Sequence, residues 1–446
     1  MLLSRKSLKE TLYSLLNSLK KPVRTAGAFY FTLIVVFVNH TAAGQLPPEP
    51  KLRDYINYAQ ENNPGIQAAF FDWKAAVEKI AVVKVLPNPN FSLGFFLENV
   101  ETAVGPQEYK LGITQMFPWF GKLRSQGKVQ SAQAEIMFHR LQQKRLKIQS
   151  RTELVYYDYY FLLKAIEITR QNIDLVRNWE WVVQSKYKTA LSSHLDVIKT
   201  QIELINLEDD LKSLQARKYP LLQRFQEILN DTTLQTVFIA DSLEFLTIDL
   251  KKTELNHLAL ENNHTLLAAG SQVTRQTQAL KRARLEYYPD FGLGLESIGT
   301  GNKEMAGVPV LDSGKDPLVF KVSLSLPIWF GKNAKTVRSA KYKQNAARFF
   351  EQNEENRLLS DIENVWYDLT EAERKFQLYK QVLIPKSLES LGASEKAYVS
   401  DKVDFLTLVD SQRRYLQFSL KYEKSLVDYL KSRSKLELLI GKSLGS

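Results

Sequence analysis

Two parts of the chain alternate between apolar and polar or small positions. In the first, Phe91, Leu93, Phe95 and Leu97 fall on one side, while Ser92, Gly94, Phe96 and Glu98 fall on the other. After a turn at Gly105-Pro106, Tyr109, Leu111 and Ile113 alternate with Lys110, Gly112 and Thr114. In the second part, Leu318, Phe320, Val322, Leu324 and Leu326 alternate with Val319, Lys321, Ser323 and Ser325. A period of two predicts strands over about residues 90–117 and 290–326, each with one apolar and one mostly small or polar face. Lipid on one side and water on the other would give this pattern over about ten residues. An edge hairpin packed on a soluble core would give it too.

A different period governs the rest. From Lys122 to about Lys188 there is no proline, and Leu141, Ile148, Val155, Leu162, Val176 and Val183 lie on one seven-residue grid, with Thr169 in its remaining place. A helix over these residues would be roughly 100 Å long, and a sustained heptad of that length implies coiled-coil side packing. Leu191-Ser192-Ser193-His194 reads as a turn, followed by a return helix through Leu195, Ile198, Ile202 and Ile205 to Asn230, bent at Pro220. Two shorter helices, 52–62 and 65–85, precede the first strands.

The chain then repeats itself. Glu61-Asn62-Asn63 matches Glu261-Asn262-Asn263, and Pro89-Asn90-Phe91 matches Pro289-Asp290-Phe291, at an offset of 200. The offset grows to 210 at a Trp-Phe-Gly-Lys tetrad and to 211 where Tyr187 meets Tyr398 and Asn230 meets Gly441. The chain therefore divides into a leader (1–44), a first unit (45–230; strands about 90–117, long helices about 122–230), a linker (231–252) and a second unit (253–446; strands about 290–326, long helices about 332–441). Each unit is helix, strand, strand, long helix, return helix.

The tetrads mark the strand-to-helix corner of each unit. One copy is Phe117-Pro118-Trp119-Phe120-Gly121-Lys122, and the other is Leu326-Pro327-Ile328-Trp329-Phe330-Gly331-Lys332. Pro118 and Pro327 lack the N–H that a ladder needs, and Gly121 and Gly331 provide backbone freedom for the turn. Trp119, Phe120, Trp329 and Phe330 suit a membrane–water interface, with Lys122 and Lys332 reaching polar groups beyond it. Packing of these aromatics in a protein core is the alternative.

Composition narrows the classes. With 446 residues, 19 Gly, 15 Pro and 24% charged residues, the chain has few breakers and is too polar for a bundle of membrane-spanning helices. Lys20, Lys21 and Arg24 precede an apolar run from Ala26 to Val38 and then Thr41-Ala42-Ala43-Gly44, the pattern of a secretory signal. That leader holds six Lys/Arg and one Glu, so five of the formal +11 charges belong to it and +6 remains, too mild for a nucleic-acid partner. Cysteine is absent, which excludes disulfides, thiolate metal sites and lipid attachment through sulfur. Met stands only at 1, 116, 137 and 305, so there is no ladder for soft metals. The closest His pair, His257 and His264, reads as polar surface, and no phosphate loop or nucleophile elbow is present; no cofactor and no enzymatic activity are expected.

The ordered, duplicated set of elements, the proline at each corner and the Asp410-Ser411-Gln412 stretch after the second helical turn resemble the TolC family of outer-membrane efflux proteins over about residues 50–442. The resemblance implies a mainly α chain with a transmembrane β-barrel part. It also implies a homotrimer in the outer membrane lipid, with a 12-stranded β-barrel continued by a 12-helix α-barrel across the periplasm. The partners implied are a periplasmic adaptor protein and an inner-membrane pump. The corner further resembles members that serve heavy-metal pumps of the resistance-nodulation-division type. Drug efflux or type I protein secretion through the same fold, and an exported coiled-coil scaffold without a pore, are the competing readings.

In that family the gate lies at the periplasmic tips, which here are Leu191–His194 and Asp401–Asp404. By resemblance Asp410 matches an acidic gate position, while a second acidic position falls on Thr407. The first-unit counterparts of these two residues are Lys199 and Asp196. Asp401, Asp404, Asp410, Asp196, Lys199 and Thr407 are therefore the candidate gate set, with Lys199 expected to hold a ring of Asp410 carboxylates shut. Outward-facing, solvated tip residues are the alternative.

Overall fold

The structure, a computed structural model, describes residues 46–245 and 247–444, and the expected leader 1–44 lies outside them. The first unit runs through Leu52–Asn62 (α1), Pro64–Val82 (α2), Asn90–Thr102 (β1), Gly105–Phe117 (β2), Lys122–Lys188 (α3), His194–Ala216 (α4) and Lys218–Leu229 (α5). The second opens with Lys252–Asn262 (α6), His264–Leu285 (α7) and Asp290–Thr300 (β3). It continues through the short strands Glu304–Met305 (β4) and Val308–Pro309 (β5), then Leu318–Ser325 (β6), Phe330–Leu378 (α8), Ile384–Val399 (α9) and Phe405–Ile440 (α10). The β4–β5 hairpin lies in the longer second loop that shifts the offset from 200 to 210.

The heptad grid on α3 is its packing seam. Leu141, Ile148, Leu162, Val176 and Val183 are 3% exposed or less, and Thr169 in the polar place is also buried. Leu141, Ile148 and Leu162 pack with Tyr55 of α1 and Phe225 of α5, whereas Val176 and Val183 pack near the tip with Val197, Leu391 and Phe405. The repeat extends to individual hydrogen bonds. Asn63 caps α2 and donates from its side chain to the Ile228 carbonyl, and Asn263 caps α7 and donates to the Leu439 carbonyl.

The return helix breaks at Arg217, so Pro220 falls in the first turn of α5, where a missing N–H removes no helical bond. Between α8 and α9 a π-helical turn, Tyr379–Leu383, absorbs the break before Pro385. The long helix of the second unit thus passes through a π turn between α8 and α9. Its counterpart α3 has Asp174 in place of that proline and stays continuous.

Strands β1, β2, β3 and β6 form one antiparallel sheet in that order. Register puts Phe91 opposite Ile113, Ile113 opposite Leu295 and Leu295 opposite Phe320, a continuous apolar row. The next row, Ser92, Gly112, Glu296 and Val319, faces the other way and is small or polar except at its end. Among the described residues nothing packs against the apolar face: Leu97 is 99% exposed, and Phe95 and Phe320 are 70% and 64% exposed. Among the described residues both outer edges, β1 and β6, are unpaired.

Candidate functional site

The helical tips are two copies of one turn. Each helix ends in a residue with left-handed backbone, Ala190 (φ 59°) and Asp401 (φ 55°), an offset of 211. Leu191 N–H donates to the Lys186 carbonyl, and Lys402 N–H donates to the Ala397 carbonyl, closing equivalent helix ends. Ser193 then caps α4 by accepting from Asp196 N–H, and Asp404 caps α10 by accepting from Thr407 N–H at 3.0 Å and Thr407 Oγ1 at 2.6 Å. These bonds to Thr407, with Lys199 adding a smaller attraction, hold the Asp404 carboxyl below its usual range.

Three of the candidate gate residues, Asp196, Asp404 and Thr407, are therefore engaged in capping their own helices. Asp410 is exposed and bonded to Arg414 on the same helix at 2.9 Å, and in the single chain it is not paired with Lys199. Asp401 is held by Lys186, whose Nζ lies 2.5 Å from its Oδ1. The same ammonium donates to the Tyr398 and Val399 carbonyls at 2.8 and 3.2 Å and sits 4.8 Å from the Tyr398 ring centroid. Lys186 thus clasps one tip to the other. Sequence reasoning passed over it because an ordinary helical lysine has no local mark of its partner.

One turn further on, Arg413 binds Glu203 through both nitrogens of its fork, at 3.1 Å and 2.5 Å. The Glu203 carboxylate raises the Arg413 pKa, and its side chain is only 7% exposed. The Asp410-Ser411-Gln412 stretch is divided among three partners. Asp410 turns to Arg414, Ser411 meets Ser394 of α9, and Gln412 donates to Asn172 of α3 at 3.0 Å.

At the other end of α3 the two corners differ. Gly121 has φ +88° and caps α3, as expected. Gly331 lies inside α8, which begins at Phe330 with Trp329 as its cap, so the expected glycine turn is absent from the second corner. Lys122 also corrects the sequence reading. It is 8% exposed and turns inward, 2.8 Å from Asp290, 3.1 Å from the Tyr288 carbonyl and 3.5 Å from Glu286. Trp119 N–H donates to the same Asp290 oxygen at 2.7 Å, and the Trp119 ring stacks on Tyr288. Asp290 and the Tyr288 carbonyl, both of the second unit, take up the Lys122 ammonium, so Pro118–Lys122 locks the first unit to the second. Pro327, Trp329, Phe330 and Lys332 form the open copy, with Trp329 and Phe330 72% and 67% exposed and no ion-pair partner for Lys332 among the described residues.

His264 finds its neighbour across the units. Its Nδ1 lies 3.3 Å from Nδ1 of His139, while His257 is exposed beside Glu261. Burial lowers both pKa values of the pair, with Glu135 partly opposing the effect at His139 and His139 adding to it at His264. A folded pKa below the unfolded value of about 6.5 leaves stability intact above that pH and removes it as pH falls toward the folded value. The pair should therefore lower the thermal midpoint as pH falls from 7.5 to 5, while Glu153, Glu423 and Glu437, whose pKa values burial raises, act in the opposite direction, so the pair's share is the difference between wild type and a variant without it. His139→Phe, which copies the Phe349 of the second unit, should lose less of its thermal midpoint than wild type between pH 7.5 and pH 5 in circular-dichroism melts.

The family model described as outer membrane efflux protein matches residues 55–230 and 255–442. The chain belongs to the outer membrane efflux protein family. A curated relative, the cobalt-zinc-cadmium resistance protein CzcC of Cupriavidus metallidurans, is 19% identical over 430 residues, covering 94% of this chain and 99% of the relative. Among solved structures, CusC superposes with a TM-score of 0.73 at 12% identity, covering 88% of this chain and 92% of that one. The outer membrane protein VceC of Vibrio cholerae does so with a TM-score of 0.71 at 14% identity, covering 88% and 97%. The efflux family is one of channels rather than enzymes. Its members, this chain included, lie in the outer membrane of Gram-negative bacteria and extend into the periplasm. No helix among the described residues is long and apolar enough to cross a membrane.

Proposed function

We propose that three copies of this efflux-family chain close into a passive exit duct, a 12-stranded β-barrel in the outer membrane continued by 12 helices. The duct would dock through a periplasmic adaptor onto an inner-membrane pump of the resistance-nodulation-division type. The observation that carries the reading is the sheet, because a four-stranded sheet with one bare apolar face and two unpaired edges cannot stand alone in lipid. The relation to the cobalt-zinc-cadmium resistance protein supports heavy-metal cations as the client. The tips supply the gate, with Lys186–Asp401 as its clasp in each chain and Asp410, Lys199 and Asp196 beside it. Nothing in this reading involves nucleic acid.

The internal duplication proposes the joint between chains. Phe117 pairs with Phe291 inside the chain, and their counterparts are Leu326, also just before a corner proline, and Phe91. The same pairing between β6 of one chain and β1 of the next sets Leu324 opposite Leu93 and Val322 opposite Phe95, so the apolar row continues. A one-residue slip would turn one strand's apolar set to the polar side. Within one chain β1 and β6 are three strand spacings apart, about 14 Å, too far for a disulfide. The chain has no cysteine, so Leu93→Cys with Leu324→Cys should give covalent dimers and trimers on oxidation, read on non-reducing gels. Gly94→Cys with Leu324→Cys should not, since these side chains leave opposite faces. A protein that stays monomeric in membranes would overturn the duct.

A further inference from the structure

Helices α3 and α7 pack together, as do α7 and α8, and the two sides of this set differ in cover and in charge. One face is roofed. Tyr55 and Tyr156 hydroxyls accept from Phe238 N–H and Ala240 N–H of the inter-unit linker, each at 3.0 Å, and Leu260 of α6 lines a hollow that contains Glu135, Glu351 and Glu355. The other face is open among the described residues. It holds a groove of about 910 Å³ lined by Arg140, Lys144, Lys147, Arg275 and Lys343, with no carboxylate in its lining. Lys147 and Tyr156 are nine residues apart on α3, half a turn around the helix, so the basic stripe and the roof lie on opposite sides.

The basic surface continues toward the corner. A second hollow shares Lys343 with the first and adds Arg282, Lys332 and Lys335 against one acid, Glu286. Arg282 is 3.8 Å from that acid, but Arg140, Lys144, Lys147, Arg275, Lys332, Lys335 and Lys343 form no ion pair among the described residues. Cations left unpaired along one stripe create a field that nothing local cancels.

We propose that this open basic face is the inner wall of the duct next to the sheet, and that it makes that stretch favour anions over cations. The inference rests on the ring of chains proposed above. In such a ring the roofed face must point outward, because α1, α6 and the linker turned inward would fill the passage. A cationic cargo then passes this level with counter-anions or as an anionic complex, and free divalent cations outside are repelled from re-entering. The acidic residues at the tips, at the far end of α3, act in series with this band rather than within it.

Screening gives the test its signature, since the Debye length is about 10 Å at 0.1 M salt and about 3 Å at 1 M. Reversal potentials of the purified full-length protein in planar bilayers under a KCl gradient report the chloride-to-potassium permeability ratio. With mean salt near 0.1 M, Arg140→Glu, Lys147→Glu and Lys343→Glu together should lower that ratio at least about twofold, and the difference from wild type should shrink near 1 M. Arg140→Gln with Lys147→Gln and Lys343→Gln gives a milder change in the same direction if charge reversal impairs folding. The control is Glu135→Gln, Glu351→Gln and Glu355→Gln on the roofed face, which should leave the ratio unchanged. An equal shift from both faces, or no shift from the basic stripe in a conducting trimer, overturns the inner-wall assignment while leaving the duct intact. A folded trimer that never conducts overturns both.

Discussion

Replacing Lys186 by methionine should loosen the tips and raise the basal conductance of the channel in planar bilayers. The ammonium, with a side chain 13% exposed, binds the Asp401 carboxylate and the last carbonyls of α9, Tyr398 and Val399. Those carbonyls carry the negative end of the helix dipole, and without the lysine they have only water to replace it. Charge-assisted bonds of this kind contribute about 1.5–3 kcal/mol, and the exposure of Asp401 argues for the lower part of that range. About 1.4 kcal/mol changes a two-state ratio tenfold, so the open fraction should rise roughly tenfold. Methionine keeps the length and the apolar stem, so α3 should remain folded and the melting temperature should change little. Asp410→Ala removes only an exposed bond to Arg414 on its own helix and should act weakly by itself. A conductance in Lys186→Met equal to wild type would mean that the tips are not held by this clasp.

The second large effect is expected at the opposite end of α3. Lys122→Met should destabilise the protein by about 2–4 kcal/mol, because it leaves Asp290 and the Tyr288 carbonyl partly buried and short of a donor. Asp290 would keep the Trp119 N–H, which limits the loss. Lys332→Met is the internal control. Lys332 is exposed and has no ion pair among the described residues, and the residue corresponding to Asp290 in the first unit is Asn90, which offers no charge even across a joint between copies. Its melting temperature should stay close to wild type, whereas that of Lys122→Met should fall by several degrees. Equal effects from the two substitutions would remove the asymmetry between corners as an explanation of how the units are locked.

The candidate site was legible in unequal measure. The turns at the tips fall where the sequence puts them, because Leu191-Ser192-Ser193-His194 interrupts the helical pattern and the 211-residue offset carries that turn to Asp401–Asp404. The roles within the tips were not legible. Asp404 and Thr407 look like free polar residues in sequence and are bonded to each other, while Lys186 and Arg413 depend on partners more than 200 residues away. Pro385 was visible, but its effect was not, because whether a helix bends, breaks or takes a π turn at a proline depends on what packs around it.

The amino-acid sequence by itself determined the duplication, the period of each element, the seam of α3 and the two faces of the sheet. Period and breaker residues act over a few positions, so they survive in any docking of the elements. Only the tertiary structure decided which corner is buried, which lysine clasps the tips, and which side of the α3, α7 and α8 set is left open. Each of these depends on the rotation and register at which distant helices meet. A lysine on a helix has the same local surroundings whether it faces a carboxylate, a linker or open water.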